Sequence, residues 1–236
     1  MEITAQIFKE KDPNSAGDLI DVIVDRAGQK GTGKWTTQAA HDYGVAIPTI
    51  NAAVDARILS GSQEERASGK HLPSVLDEQD PVPPPEKLRS IVRHALGLAE
   101  LVAYMQGFRL LMRASEQEDW NLNLGDVARI WRGGCIIRSP LLPLFQAALG
   151  SDQRSAKAAK ESILAMLGGT AQLDWRRAVT FAQSRGVPVP ALSASLSYID
   201  SLRADRLPQN LIQAQRDFFG AHGFERTDTE GQFHIK

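Results

Sequence analysis

Between Glu86 and Ser115 the apolar residues Ile91, Ala95, Leu98, Val102, Met105, Phe108 and Met112 follow one another at steps of three or four. That is the period of one face of an α-helix, and a stripe this long requires burial along most of its length. At a rise of ~1.5 Å per residue, about 30 residues reach ~45 Å, enough for the central strut of a helical domain. The segment is preceded by a loop over residues 71–85, where Pro73, Pro81, Pro83, Pro84 and Pro85 cannot all sit inside a helix. Any fold for this chain has to be built around that strut.

The same reading along the rest of the chain predicts helices almost throughout. Asn14 or Ser15 is expected to cap a helix through Leu19, Ile20, Ile23 and Val24 that closes near Gly28. A short helix follows from Thr36 to Tyr43. Pro48 opens another with Ile50, Val54, Ile58 and Leu59 as its stripe. Later helices are expected over Leu124–Trp131, Ile136–Leu149, Ser155–Leu167, Asp174–Arg185, Ala191–Leu202 and Asn210–Phe219. No segment before the C-terminal tail alternates with period two, so strands are not expected there. The fold class is all-α with a short extended C-terminal tail.

One stretch is repeated. Gly44-Val45-Ala46-Ile47-Pro48 returns as Gly186-Val187-Pro188-Val189-Pro190, and at the same offset Ile50, Ala52 and Val54 pair with Leu192, Ala194 and Leu196. Trp35 and Trp175 precede the two copies, with slightly different spacing. The repeat describes a helix, a turn and a second helix begun by proline. Duplication of a helical unit explains it better than chance recurrence of a common corner.

Composition excludes some function classes. The net charge is −1, so no global basic field points to nucleic acid. The single cysteine, Cys135, allows no intrachain disulfide and suits a reducing compartment, and it reads as a buried small residue. Charges interrupt the apolar stretches before the length of a membrane span, and Met1-Glu2-Ile3-Thr4 lacks a signal-peptide pattern. A cytoplasmic protein is expected. The histidines show no metal-ligand spacing.

Two segments carry chemistry. Gly28-Gln29-Lys30-Gly31-Thr32-Gly33-Lys34 meets the opening of a P-loop, but Trp35 stands where magnesium binding needs Ser or Thr. The segment before it also reads as helix, not strand, which rejects a nucleotide site. Its glycines still allow backbone N–H groups to approach an anion at the start of a helix, with Lys30 and Thr32 adding a charge and a hydroxyl. A helix-breaking loop with solvated lysines fits the pattern equally well. In the second segment, Arg216 and His222 flank Asp217-Phe218-Phe219-Gly220-Ala221. The aromatics are expected to bury against the core while Gly220 ends the helix, leaving both cations near a helix C-terminus. An Arg there suits bidentate contact with phosphate, though a surface Arg paired with Asp and a capping His fit the residues too. Arg57, among apolar neighbours on the Pro48 helix, either faces a ligand or snorkels to solvent.

Taken in order, Gln29 to Trp35, then Trp131-Arg132-Gly133-Gly134-Cys135-Ile136-Ile137-Arg138, then Asn210 to His222 resemble 6-phosphogluconate dehydrogenase, decarboxylating. The resemblance spans residues 1–236 and covers only the C-terminal, duplicated helical half of that family. It implies a single substrate-binding and dimerisation domain. It also implies oxidative decarboxylation of 6-phosphogluconate to ribulose 5-phosphate with NADP in the pentose phosphate pathway. By position Lys30, Thr32 and Arg57 match ligands of the substrate phosphate. Arg216 and His222 match ligands that the family supplies from the neighbouring subunit of a homodimer. The dinucleotide-binding domain, with the catalytic Lys and Glu, has no counterpart in these residues, so this chain has no catalytic residue of its own and the isolated polypeptide is expected to be inactive. Two function classes follow. In one, the chain is part of a dehydrogenase and works with a separate N-terminal domain. In the other, it is a stand-alone, non-catalytic helical module for dimerisation or phosphosugar binding.

Overall fold

The computed structural model describes residues 2–73 and 81–235. Residues 74–80 of the proline-rich loop expected over 71–85 lie outside the described residues. Eleven α-helices are present among them: α1 Glu2–Ile7, α2 Thr32–Asp42, α3 Pro48–Gly61, α4 Gln63–Gly69, α5 Pro85–Gln117, α6 Leu124–Ile130, α7 Leu142–Ala148, α8 Gln153–Met166, α9 Gly169–Ser184, α10 Pro190–Arg203 and α11 Gln209–Gly220. No sheet forms among the described residues; the only bridges there are Lys11 with Asp18 and Phe224 with Phe233. The chain divides into two compact units, Met1–Ser195 and Leu196–Lys236.

In the first unit the strut is α5, 33 residues long, or about 50 Å. It starts at Pro85, which suits a first-turn position because its missing N–H would have no partner there. Ile91, Ala95, Leu98, Val102 and Phe108 are buried, as the periodicity predicts, and Leu101, Leu110 and Ala114 join them. Met112 is exposed instead, because the row shifts to Leu110 and Ala114 near the end. By length and mean hydropathy α5 would also suit a membrane span. Its buried face, its extensive packing on α9 and the buried Gln106 mark it as a core helix.

Polar contacts fix the register of α5 against its partners. Asp174, at the buried face of α9, accepts from His94 Nδ1 at 2.8 Å, Arg177 at 3.0 Å and Lys87 Nζ at 3.4 Å. The neighbouring Trp175 is fully buried. On the other side, Gln106 Oε1 accepts from the Thr49 N–H at 3.1 Å and Gln106 Nε2 donates to Thr49 Oγ1 at 3.0 Å. Thr49 follows Pro48 in the first turn of α3, so this side chain satisfies an N–H that the helix itself cannot pair. Ala40, Val45, Ile47 and Leu110 pack around that junction with Tyr43 and Ile50. A second layer, α6 to α8, is joined to α5 through Phe108, whose ring lies 5.1 Å from Phe145 and 5.2 Å from Trp131.

The repeated turn has the same geometry in both copies. Gly44 and Gly186 have φ of 64° and 67°, which favours glycine. Val45 N–H donates to Ala40 O at 2.7 Å, and Val187 N–H to Ala182 O at 2.9 Å. Asn51 N–H donates to Ile47 O and Ser193 N–H to Val189 O, both at 3.0 Å. The tryptophans do not correspond: Trp35 is 65% exposed while Trp175 is fully buried.

The helices expected from Thr36 and Asp174 begin earlier, at Thr32 and Gly169, and three further expectations differ more deeply. The helix over 14–28 is a single 3-10 turn, Leu19–Val22, followed by extended backbone at Ile23. Ser15 Oγ accepts from the Gly17 N–H and so closes a local turn instead of capping a helix, while Asn14 gives its N–H to Asp12 Oδ1 in a turn of its own. Val22, Ile23 and Val24 then form a β-branched run, which disfavours helix. The helix expected from Ile136 begins at Leu142, because Ser139 precedes Pro140 and is biased away from helical backbone. Ile136 is therefore 90% exposed and Cys135 only half-buried. In α3, Ile58 and Leu59 are exposed, so the stripe there ends at Val54.

Replacing Gln106 by Leu keeps the volume but strips the Thr49 N–H and hydroxyl of their partners. The expected loss of stability is about 1–3 kcal/mol, read by urea unfolding. Thr49→Val in the same background should cost less than it does alone.

Candidate functional site

The glycine-rich segment enters α2 through Gly31, which caps the helix at φ 105°. That left-handed angle suits glycine and turns the chain sharply, so that Lys30 lies in the loop and Thr32 is the first helical residue. Both are exposed. Behind them α2 and α3 pack closely: a methyl group on Gly33 would come within 2.9 Å of Val54 Cγ2. Thr37 Oγ1 also donates to Asn51 Oδ1 at 3.0 Å.

Arg57 is exposed on α3 and its guanidinium donates to the Gly28 carbonyl. One residue earlier, the Ala27 N–H donates to Ser60 Oγ at 3.0 Å, and Ser60 Oγ donates to the Arg57 carbonyl at 2.7 Å. These bonds hold the loop against α3. They bring the Lys30–Thr32 loop and Arg57 to the same corner, at the positive end of an 11-residue helix. Among the described residues neither Lys30 nor Arg57 has a carboxylate partner. Arg57 is thus neither buried at a cost nor merely extended into solvent.

The second unit holds Arg216 and His222. Arg216 is exposed on α11 and donates to Gln213 Oε1 at 3.1 Å; Asp217 is not its partner. The helix ends one residue later than expected, with Gly220 its last helical residue and Ala221 in the left-handed conformation at φ 51°. Phe218 and Phe219 are 69% and 86% exposed, against the expectation of burial. Gln213 and Asp217, four residues apart, take the face of α11 that meets the tail, so the aromatics point elsewhere. The tail folds back through the Phe224–Phe233 bridge, with two backbone bonds of 2.9 Å.

Asp217 was not legible as more than a surface acid. It is 4% exposed and accepts from the Gly223 N–H and the Ile235 N–H, each at 2.6 Å, and from His234 Nδ1 at 2.8 Å. The spacing of Gln213 and Asp217 on one helix face, followed by a glycine just past the helix, was the signal available in the sequence.

The described residues contain no group of three or more His, Cys, Asp or Glu placed to hold a metal ion. They contain no sheet, and no strand runs into the glycine-rich segment, so the strand–turn–helix fingerprint of a dinucleotide site is not formed among them. What they present is an all-helical domain with cations and a hydroxyl gathered at a helix entrance in one unit, and an Arg and a His around a helix exit in the other.

Comparison with known proteins gives the family. The description "6-phosphogluconate dehydrogenase, C-terminal domain" matches residues 1–236. A decarboxylating 6-phosphogluconate dehydrogenase of Synechococcus elongatus is 47% identical over 242 residues, covering 100% of this chain and 50% of that protein. An NADP(+)-dependent, decarboxylating enzyme of Bacillus subtilis is 44% identical over 236 residues, again 100% of this chain and 50% of the relative. The solved Plasmodium falciparum 6-phosphogluconate dehydrogenase, described as apo and in complex with NADP+ and with 6-phosphogluconate, superposes with a TM-score of 0.82 at 39% identity over 99% of this chain and 50% of that one. The chain belongs to the 6-phosphogluconate dehydrogenase C-terminal domain family. It spans about half the length of the relatives it matches.

The hydrogen bonds from Ile235, His234 and Gly223 hold the Asp217 carboxyl below its usual value of 3.8, with the Ile235 N–H the largest cause and burial opposing it. A carboxyl lowered in the folded state contributes stability that is complete above its unfolded value and is lost as pH falls through the folded one. The Gly223 and Ile235 amides should therefore stay protected from hydrogen exchange down to about pH 4 and lose protection below it. In Asp217→Asn this acid-dependent loss should disappear. Amide exchange followed by NMR checks both.

Proposed function

We propose that this chain is the substrate-phosphate-binding and dimerising half of a decarboxylating 6-phosphogluconate dehydrogenase. In that role it helps convert 6-phosphogluconate and NADP+ to ribulose 5-phosphate, CO2 and NADPH. The observation that carries the reading is the corner where Arg57 grips the Gly28 carbonyl and so sits beside Lys30 and Thr32. Two cations, a hydroxyl and a helix N-terminus suit a phosphate dianion. Arg216 and His222 complete the ligand set from the neighbouring subunit of a homodimer. Support for a dimer comes from α11, where Leu211, Phe218 and Phe219 are 62%, 69% and 86% exposed, a display of apolar surface that association would cover. NADP and the groups that move protons belong to a dinucleotide-binding portion outside this chain, so residues 1–236 bind and orient substrate and carry out no chemical step alone. The domain works in the cytoplasm, in keeping with a single cysteine that has no partner in the chain.

The test is calorimetric titration of the 236-residue chain with 6-phosphogluconate and with gluconate. The phosphorylated acid should bind and gluconate should not. Lys30→Ala and Arg216→Ala should each weaken binding roughly ten- to hundredfold without changing the melting temperature. Equal affinity for both acids, or binding indifferent to Lys30, would refute the reading. So would NADP+ reduction by the purified chain alone.

A further inference from the structure

The turn that carries His222 is held by unusual means. Ala221 adopts φ 51°, a left-handed conformation unfavourable for a non-glycine residue, and Gly223 follows at φ 73°. Among the described residues no hydrogen bond holds the His222 ring, so the backbone sets its direction. The ring lies over Gly220, where a methyl group would come within 2.9 Å of both Cδ2 and Nε2.

Two side chains of α11 clamp the far end of this turn. Asp217 Oδ1 accepts from the Gly223 N–H at 2.6 Å, and Gln213 Nε2 donates to the Gly223 carbonyl at 2.5 Å. Both backbone groups of one residue are therefore taken by one helix face. The other end of the Gln213 amide accepts from Arg216 at 3.1 Å. A single amide thus joins the Arg216 guanidinium to the residue after His222. Asp217 is itself anchored, since His234 Nδ1 donates to the same carboxylate oxygen and the Ile235 N–H to the other. Glycine at 223 is favoured as well, because its φ of 73° is a conformation that L side chains rarely adopt.

We propose that Gln213 and Asp217 are positioning residues that hold Arg216 and His222 in a fixed mutual geometry for the phosphate end of the substrate. This rests on the reading of Arg216 and His222 as substrate ligands. Neither Gln213 nor Asp217 needs to touch the ligand. Their contribution is to set two mobile side chains before binding, which lowers the ordering cost at the moment of association.

The test uses the full chain in six forms: wild type, Asp217→Asn, Gln213→Ala, His234→Ala, His222→Ala and the double variant Asp217→Asn with His222→Ala. His222 ring signals are followed by NMR without ligand, and 6-phosphogluconate affinity is measured well below each melting temperature. Asp217→Asn and Gln213→Ala should shift the His222 signals and weaken binding roughly tenfold. His222→Ala added to Asp217→Asn should cost little more, because the seat is already lost. His234→Ala, which loosens the tail but leaves the Gly223 clamp, should bind within about twofold of wild type. Variants that melt earlier yet bind normally with unmoved His222 signals would show a structural role only and overturn the proposal. So would equal weakening by His234→Ala, or additive losses with His222→Ala. If Asp217→Asn does not fold, Gln213→Ala decides alone, since it leaves every Asp217 bond in place. Failure of the wild-type chain to bind 6-phosphogluconate would overturn the substrate reading, and the NMR comparison would still decide whether the clamp seats His222.

Discussion

The packing of α5 on α9 is the constraint on which the first unit depends. A 33-residue helix with apolar side chains on more than one side needs partners along its length. It meets α9 on one side, α3 on another, and the α6–α8 layer through Phe108. Apolar contact alone would let such helices slide. Asp174 prevents it by drawing Lys87 and His94 of α5 to a buried point beside Trp175, and Gln106 does the same for α3 through Thr49. A single partner lost there leaves a buried polar group unsatisfied, which makes the register costly to change. The corner that carries Lys30, Thr32 and Arg57 is held at its place by α2 and α3, and so inherits that register.

The strut was readable because Ile91 to Phe108 obey the helical period and Pro85 marks the start. The two Gly–Val–x–aliphatic–Pro turns were readable because a glycine at positive φ and a first-turn proline leave a clear pattern. Contacts distant in the chain were not readable. Nothing near Gln106 announces Thr49, and nothing near Asp174 announces Lys87 and His94. The failed helix over 14–28 shows the limit of pattern: Ser15 is a good cap by type, yet it closes a turn with Gly17. Phe218 and Phe219 misled for a related reason: hydrophobicity predicts burial, but Gln213 and Asp217 take the face of α11 that meets the tail and leave both aromatics exposed.

The candidate ligands divide in the same way. The types of Lys30, Thr32 and Arg57 were visible, and the family resemblance grouped them. What the structure adds is the Gly28 carbonyl as the physical link between loop and helix. For Arg216 and His222 it adds the Gln213–Gly223–Asp217 clamp. In both places the charged groups stand on backbone fixed by side-chain hydrogen bonds and glycine geometry. That arrangement leaves Lys30, Arg57 and Arg216 without a carboxylate partner among the described residues, which suits the proposed contact with a phosphate dianion.

The central claim is that the two groups of ligands belong to one site shared by two copies of the chain. The direct measurement is 6-phosphogluconate binding to mixed dimers of Lys30→Ala and Arg216→Ala chains, purified through two different tags. Each mixed dimer would hold one site carrying both substitutions and one carrying neither. The account predicts that wild-type affinity returns at half the sites, although neither parent homodimer binds well. Mixed dimers that bind no better than the parents would contradict it, and would place all five ligands on one chain or deny them a common site.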